Sequence, residues 1–204
     1  IYNGVPASSD ANTVFNTALV FAPIGVYTNI GTGKQQVTQS ELRHLFSTGR
    51  MPSGENLTGI TRDVNSGTRN GFCNSVGLDP SFGVGENVGP ENASTTNDVV
   101  GNAFLPSNKT GSGNLESALR NTRLGIGYSG GERFVSNALN GANFRFEMLA
   151  VRNDLSGGTV YSRPTLTAVF DNNADGYIIG GPGSLITFGD PLAESIAAGG
   201  TGSG

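Results

Sequence analysis

Cysteine, histidine and tryptophan are almost missing from this chain, whose 204 residues include one Cys, one His and no Trp. A single cysteine, Cys73, excludes an internal disulfide. One thiol and one imidazole nearly exclude a zinc cluster and Cys/His catalysis, and no telling carboxylate pair stands out, so no enzyme is expected. Charge is scarce too. Asp, Glu, Lys and Arg make up 14% of the residues and the formal net charge is −4, so no basic footprint favours nucleic acid or an anionic membrane. No apolar run approaches the length of a membrane span. No leader-type segment stands at Ile1, which suits a mature, trimmed or cytosolic chain. A mildly acidic chain of this kind must hold any anion by local geometry rather than by its overall field.

Glycine, in contrast, is abundant at 32 residues, and with plentiful Asn, Ser and Thr it marks many turns and short elements, a style frequent in exported proteins. The length suffices for one sizeable domain or two small lobes. The most informative stretch is Thr61-Arg62-Asp63-Val64-Asn65-Ser66-Gly67-Thr68. A strand candidate at 56–61 leads into it. A helix candidate at 68–76 leads out, with Phe72, Cys73 and Val76 near three-to-four spacing. Ser66 stands at the N-cap position, where its hydroxyl and the amides of Gly67, Thr68 and Arg69 converge. Gly67 allows a close approach to the backbone, and the helix start carries partial positive charge. Arg62, four residues earlier, can bring a guanidinium fork to the same place. Together these make an anion cradle. The alternative is an ordinary capped helix whose Arg62 pairs with Asp63 or with solvent.

An arginine, three residues, then Ser-Gly-Thr opening a helix resembles the phosphate-binding proteins of bacterial ABC importers, a branch of the type II periplasmic binding protein fold. In that family the arginine, serine, glycine and threonine touch the bound oxyanion, and the resemblance implies those roles for Arg62, Ser66, Gly67 and Thr68. There is a departure: the family usually has an aspartate two residues after the arginine and a glycine before the serine. Here Asp63 follows Arg62 directly and Asn65 precedes Ser66. A second motif, Leu124-Gly125-Ile126-Gly127-Tyr128 after a helix candidate at 114–120, is similar to the family's Gly-Ala-Ile-Gly-Tyr strand and comes in the same order. Ser9-Asp10 resembles the family's Ser-Asp pair, which implies that Asp10 accepts a hydrogen bond from protonated phosphate. Read locally, Asp10 is an N-cap or Asx-turn residue.

The resemblance covers roughly residues 9–128. It implies an α/β, type II periplasmic-binding-protein-like fold with a mixed sheet flanked by helices at 40–46, 68–76 and 114–120. The first lobe is expected to be incomplete, because the family has several dozen residues ahead of its Ser-Asp pair. The expected organisation is a second lobe at 30–133 carrying the cradle, a partial first lobe and crossover from 1–29 and 134–198, and a flexible tail at 199–204. The implied function is a non-catalytic solute-binding module for phosphate or a similar oxyanion, with no cofactor or metal, in the periplasm or outside the cell. The competing expectation is an extracellular structural subunit that self-assembles into a homo-oligomer or filament, because apolar surface would remain where the absent segment packs.

The remaining elements read as follows. Thr38-Gln39-Ser40-Glu41 is a capping box, followed by Leu42, Leu45 and Phe46 at helical spacing, with a stop at Thr48-Gly49 and His44 on the solvated side. Residues 16–29 suggest one or two buried strands around Ala18-Leu19-Val20-Phe21 and Ile24-Gly25-Val26-Tyr27. Residues 77–112 read as a long irregular excursion. Phe144, Phe146, Met148 and Ala150 alternate with polar residues as in a half-buried strand. Residues 165–170 suit a strand or a short helix, and Tyr177-Ile178-Ile179 a further strand. The 171–176 segment has the first half of a calcium loop, yet Pro182 stands where the bidentate glutamate belongs, so a plain turn competes with a metal site. Cys73 reads as a small buried hydrophobe.

Overall fold

A computed structural model describes residues 14–63, 65–81, 107–133 and 146–188. The chain divides into two compact units, Ile1–Ala22 with Pro182–Gly204, and Pro23–Gly181. In the larger unit β5 (Gly125–Gly130) is the central strand. On one side β3 (Thr58–Arg62) runs parallel to it, pairing Ile60 with Gly127, and β4 (Ser107–Lys109) runs parallel to β3. On the other side the second half of β1 (Val14–Asn29) is antiparallel to β5, pairing Val26 with Tyr128, and β6 (Phe146–Met148) is antiparallel to β1. The order is β4-β3-β5-β1-β6. A smaller sheet pairs β2 (Gln36–Thr38) parallel to β7 (Ala150–Arg152), which is antiparallel to β8 (Tyr161–Ser162). In the smaller unit, β9 (Gly180–Phe188) pairs with β1.

Pleating sends alternate side chains to opposite faces, and two apolar clusters form accordingly. Ile24, Val26, Ile126 and Tyr128 face Leu42, Leu45 and Phe46 of α1 (Gln39–Thr48) and Phe72, Cys73 and Val76 of α2 (Gly67–Val76). Tyr27 and Ile60 face Leu115, Ala118 and Leu119 of α3 (Ser112–Asn121), together with Phe146 and Met148. Helices thus cover both faces, as a sheet with parallel strands requires. Gly127 lets α3 approach closely. A Cβ there would lie 3.0 Å from the Ile60 carbonyl oxygen and 3.3 Å from Leu115 Cδ2.

The helices end where their sequence says they should. Thr38 Oγ1 accepts from the Glu41 amide at 3.1 Å, and the Thr38 amide donates to Glu41 Oε2 at 2.8 Å, completing the capping box of α1. Gly49 and Gly77, at φ 74° and 71°, close α1 and α2 in the left-handed conformation. The three expected helices are present, each slightly longer than its apolar stripe.

Four expectations need correction, and one open choice is decided. The apolar run at 18–21 is not buried: Leu19, Val20 and Phe21 are exposed, whereas β1 is buried from Ile24 onward. Hydrophobicity marked the strand there, but no described layer covers that half. Tyr177-Ile178-Ile179 is not a strand, although Tyr177 and Ile179 are buried in the core. The Tyr177 amide turns back to Ala168 O at 2.7 Å and its hydroxyl donates to Ile24 O at 2.5 Å, so packing satisfies the run without a ladder. The single strand around Phe146 and Ala150 is two strands in different sheets. It breaks at Leu149, whose amide donates to Val26 O while that of Ala150 donates to Gln35 O. Residues 165–170 resolve to a short helix, α4 (Leu166–Val169), capped by Thr165. The excursion at 77–112 contains β4, whose Ser-Asn-Lys sequence shows no apolar pattern.

Residues 1–13, 82–106, 134–145 and 189–204 lie outside the described set, and with them Ser9, Asp10, Phe144, most of the excursion and the tail.

The start of α1 carries a carboxylate. Asp154 accepts from the Ser40 amide at 3.0 Å and from the Ser40 hydroxyl. Partial burial works to raise the Asp154 pKa, but the two Ser40 bonds and Arg152 outweigh it and hold the carboxyl below its ordinary range. A depressed carboxyl contributes stability above its unfolded pKa and loses it as pH falls through the folded value, so the window lies below about pH 4. Urea unfolding across pH 2–7 is expected to show wild type more stable than Asp154→Asn at neutral pH, with the gap closing in acid. A gap independent of pH would contradict this account.

Candidate functional site

Where β3 ends, its last polar groups are settled by the neighbouring strand. Tyr128 of β5 lies fully buried with its ring stacked on Phe72 of α2, centroids 3.9 Å apart and planes at 9°, and edge-on to Phe46 of α1 at 5.7 Å. Its hydroxyl hydrogen-bonds Thr61 Oγ1 and accepts the Arg62 amide at 3.2 Å. Burial pushes the Tyr128 pKa well above the ordinary tyrosine range, against the pull of Thr61, Arg62 and Arg69, so the group stays a neutral hydroxyl.

From there the chain turns into α2. The Asp63 amide donates to Lys109 O at 3.0 Å and the Ser66 amide to Asp63 O at 3.1 Å. Ser66 is the N-cap as expected: its Oγ accepts from the Arg69 amide at 3.2 Å, which leaves its own O–H to donate. The amides of Gly67 and Thr68 belong to the first turn and have no acceptor within the helix. The space at Gly67 is open, since a Cβ there would meet nothing within 4 Å.

Arg62 makes the Asp63 pairing that the sequence offered as the alternative to a cradle, and adds a partner that it did not. Its Nε donates to Asp63 Oδ1 at 3.3 Å and its Nη1 to Ser112 Oγ at 2.8 Å, and its side chain is 14% exposed. Two further cations are close in sequence register. Arg69, buried on α2, donates from Nη1 to Arg62 O at 3.0 Å. Lys109, fully buried, stands opposite Arg62 across the β3–β4 pair. Positive groups and the starts of α2 and α3 therefore gather at the carboxyl ends of parallel strands, the edge at which α/β sheets bind ligands.

Beside this group lies an open depression of about 280 Å³, lined by Asn65, Ser66, Gly67, Asn70, Pro80 and Ser81. Asn70 Oδ1 accepts from Asn74 Nδ2 at 2.9 Å, so the Asn70 amide nitrogen keeps its hydrogens for another acceptor. The structure thus brings Ser66 and Gly67 together on the depression, while Arg62 and Thr68 do not line it. Asp10 lies outside the described residues. Sequence reasoning missed Asn70, Ser81 and Ser112. The first is one turn beyond the Ser-Gly-Thr motif, and Ser112 sits in a Gly-Ser-Gly stretch that reads as a linker.

The other candidates fall out simply. His44 is exposed on α1. Cys73 is buried and burial pushes its thiol pKa up, against the pull of Arg69, which suits a packed side chain and not a nucleophile. The 171–176 segment is a turn that uses its own carboxylates. Asp171 Oδ1 accepts from Asn173 N at 2.9 Å, and Asp175 Oδ1 from the amides of Thr159 and Val160 at 2.6 and 3.0 Å.

No protein-family model and no curated protein matches the chain. Solved structures do. A substrate-binding protein assigned to phosphate ABC transport, with bound phosphate, from Clostridium perfringens matches at TM-score 0.56 and 15% identity, covering 85% of this chain and 58% of its own. A possible phosphate binding protein from Planctomyces limnophilus matches at 0.58 and 13%, covering 89% and 57%. An ABC-type phosphate transport receptor from Vibrio cholerae matches at 0.56 and 14%, covering 92% and 65%. The chain spans less than two thirds of the length of each. At these identities the likeness establishes the fold alone: a mixed α/β architecture of the periplasmic-binding-protein kind, represented in part. Among the described residues no helix is long and apolar enough to cross a membrane.

Tyr128→Phe keeps the stacked ring and removes the hydroxyl, leaving the Arg62 amide and Thr61 hydroxyl buried without it. The expected loss is about 1–3 kcal/mol of stability, the cost of unsatisfied buried polar groups. Urea unfolding measures it, and an unchanged midpoint would show that the hydroxyl contributes nothing to fixing the end of β3.

Proposed function

We propose that the chain is a non-catalytic solute-binding module for phosphate or a similar tetrahedral oxyanion, working in the periplasm or outside the cell. The observation that carries this reading is the Arg62 guanidinium, mostly buried at the carboxyl end of β3, with donors still unpaired among the described residues and the open first turn of α2 next in the chain. Charge-assisted bonds from arginine and from helix-terminal amides are the strong class for oxyanions. The fold adds support, because similar structures are phosphate-binding proteins and one holds phosphate. In this reading Arg62, Ser66, Gly67 and Thr68 donate to the anion, and Asp10 accepts from it when it is protonated. In this reading the chemistry at the site is capture and release by hydrogen-bond donors.

Calorimetry at low salt with phosphate, sulfate and chloride tests the proposal on wild type and Arg62→Ala. The expected outcome is phosphate binding that weakens roughly ten- to a hundred-fold in the variant, the scale of one charge-assisted partner. Equal affinities would remove Arg62 from the site. An absence of binding by wild type would defeat the oxyanion proposal itself.

A further inference from the structure

The Arg62 side chain is held at two points of different character. Asp63, its chain neighbour, takes Nε at 3.3 Å and offsets its charge. Ser112, the first residue of α3 and 50 positions away, takes Nη1 at 2.8 Å, the shorter of the two bonds. A hydroxyl fixes a guanidinium without neutralising it. Of the five N–H donors an arginine carries, two are committed in this way. The fork that remains is pre-aimed, which removes much of the rotamer entropy that an unrestrained arginine would lose on binding. The location is also electrostatically costly. Ser112 brings a cation to the positive end of α3, whose N-cap is Gly111 and supplies no side-chain acceptor. An anion beside Arg62 relieves that concentration, whereas a second carboxylate in place of Ser112 would cancel it.

We propose that Ser112 is a positioning residue of the oxyanion site: from the start of α3 its hydroxyl aims the Arg62 guanidinium while leaving its charge available. This rests on the reading that Arg62 serves an oxyanion. Two measurements on the whole chain test it together, side-chain ¹⁵N relaxation at Arg62 Nε and calorimetry with inorganic phosphate. Ser112→Ala is expected to lower the Arg62 Nε order parameter and weaken phosphate about tenfold, the scale of one hydrogen bond to a charged group. Ser112→Thr restores both. Ser112→Asp keeps Arg62 ordered and raises the melting midpoint, because a carboxylate suits a helix start, yet binds phosphate more weakly than Ser112→Ala. That opposition between stability and affinity is something a merely structural serine would not produce. In an Arg62→Ala background, Ser112→Ala has no further effect on affinity.

An Arg62 as ordered in Ser112→Ala as in wild type would overturn the proposal, and so would an equal loss of affinity in both backgrounds. Failure of wild type to bind phosphate would defeat the oxyanion reading alone, and the order parameter would still decide whether Ser112 aims Arg62.

Discussion

The contact on which this architecture turns is the fully buried side chain of Tyr128. Its ring, stacked on Phe72 and edge-on to Phe46, locks α1 and α2 against the sheet. Its hydroxyl meets Thr61 and the Arg62 amide, so the same residue determines how β3 stops. A buried polar atom that is fully satisfied specifies one arrangement, because any shift in register would strand it without partners. The Gly-Ile-Gly-Tyr strand therefore has a divided role: its glycines admit α3 on one face while its tyrosine fixes α2 and the end of β3 from the other.

That fixed end explains how a sparsely charged, mildly acidic chain can assemble a cationic locus. Arg62, Arg69 and Lys109 are few, but each is buried or nearly so, and low dielectric strengthens whatever they face. Asp63 offsets part of the Arg62 charge, the Ser112 hydroxyl holds Arg62, and the Arg62 carbonyl holds Arg69. The field is local and geometric, which is why the overall net charge gave no hint of it.

Much of the fold was legible because local and global signals agreed. The capping box at Thr38, the stop at Gly49 and the N-cap at Ser66 each rest on one residue satisfying a backbone group, and chemistry of that kind survives in any tertiary context. What the sequence hid was non-local. Leu19, Val20 and Phe21 form a strand by composition, yet composition does not say what covers it. Ser107-Asn108-Lys109 becomes a strand only because β3 offers it a parallel edge. At the candidate site, the Ser66 cap and the Asp63 pairing of Arg62 were visible from spacing, whereas the second hold on Arg62 was not. Its partner, Ser112, is supplied by the crossover that brings α3 beside β3, and no local pattern around either residue encodes that meeting.

The strand order carries a consequence for synthesis. β3 lies between β4 and β5, and both follow it in the chain. While the protein is being made, β3 emerges with two bare edges: the partner for one edge is absent until Lys109 has been added, and the partner for the other until Gly130 has been added. Such a segment is open to foreign strands for the whole interval. Charged residues flanking an apolar strand discourage wrong pairing, and Arg62 and Asp63 stand in that position at the end of β3.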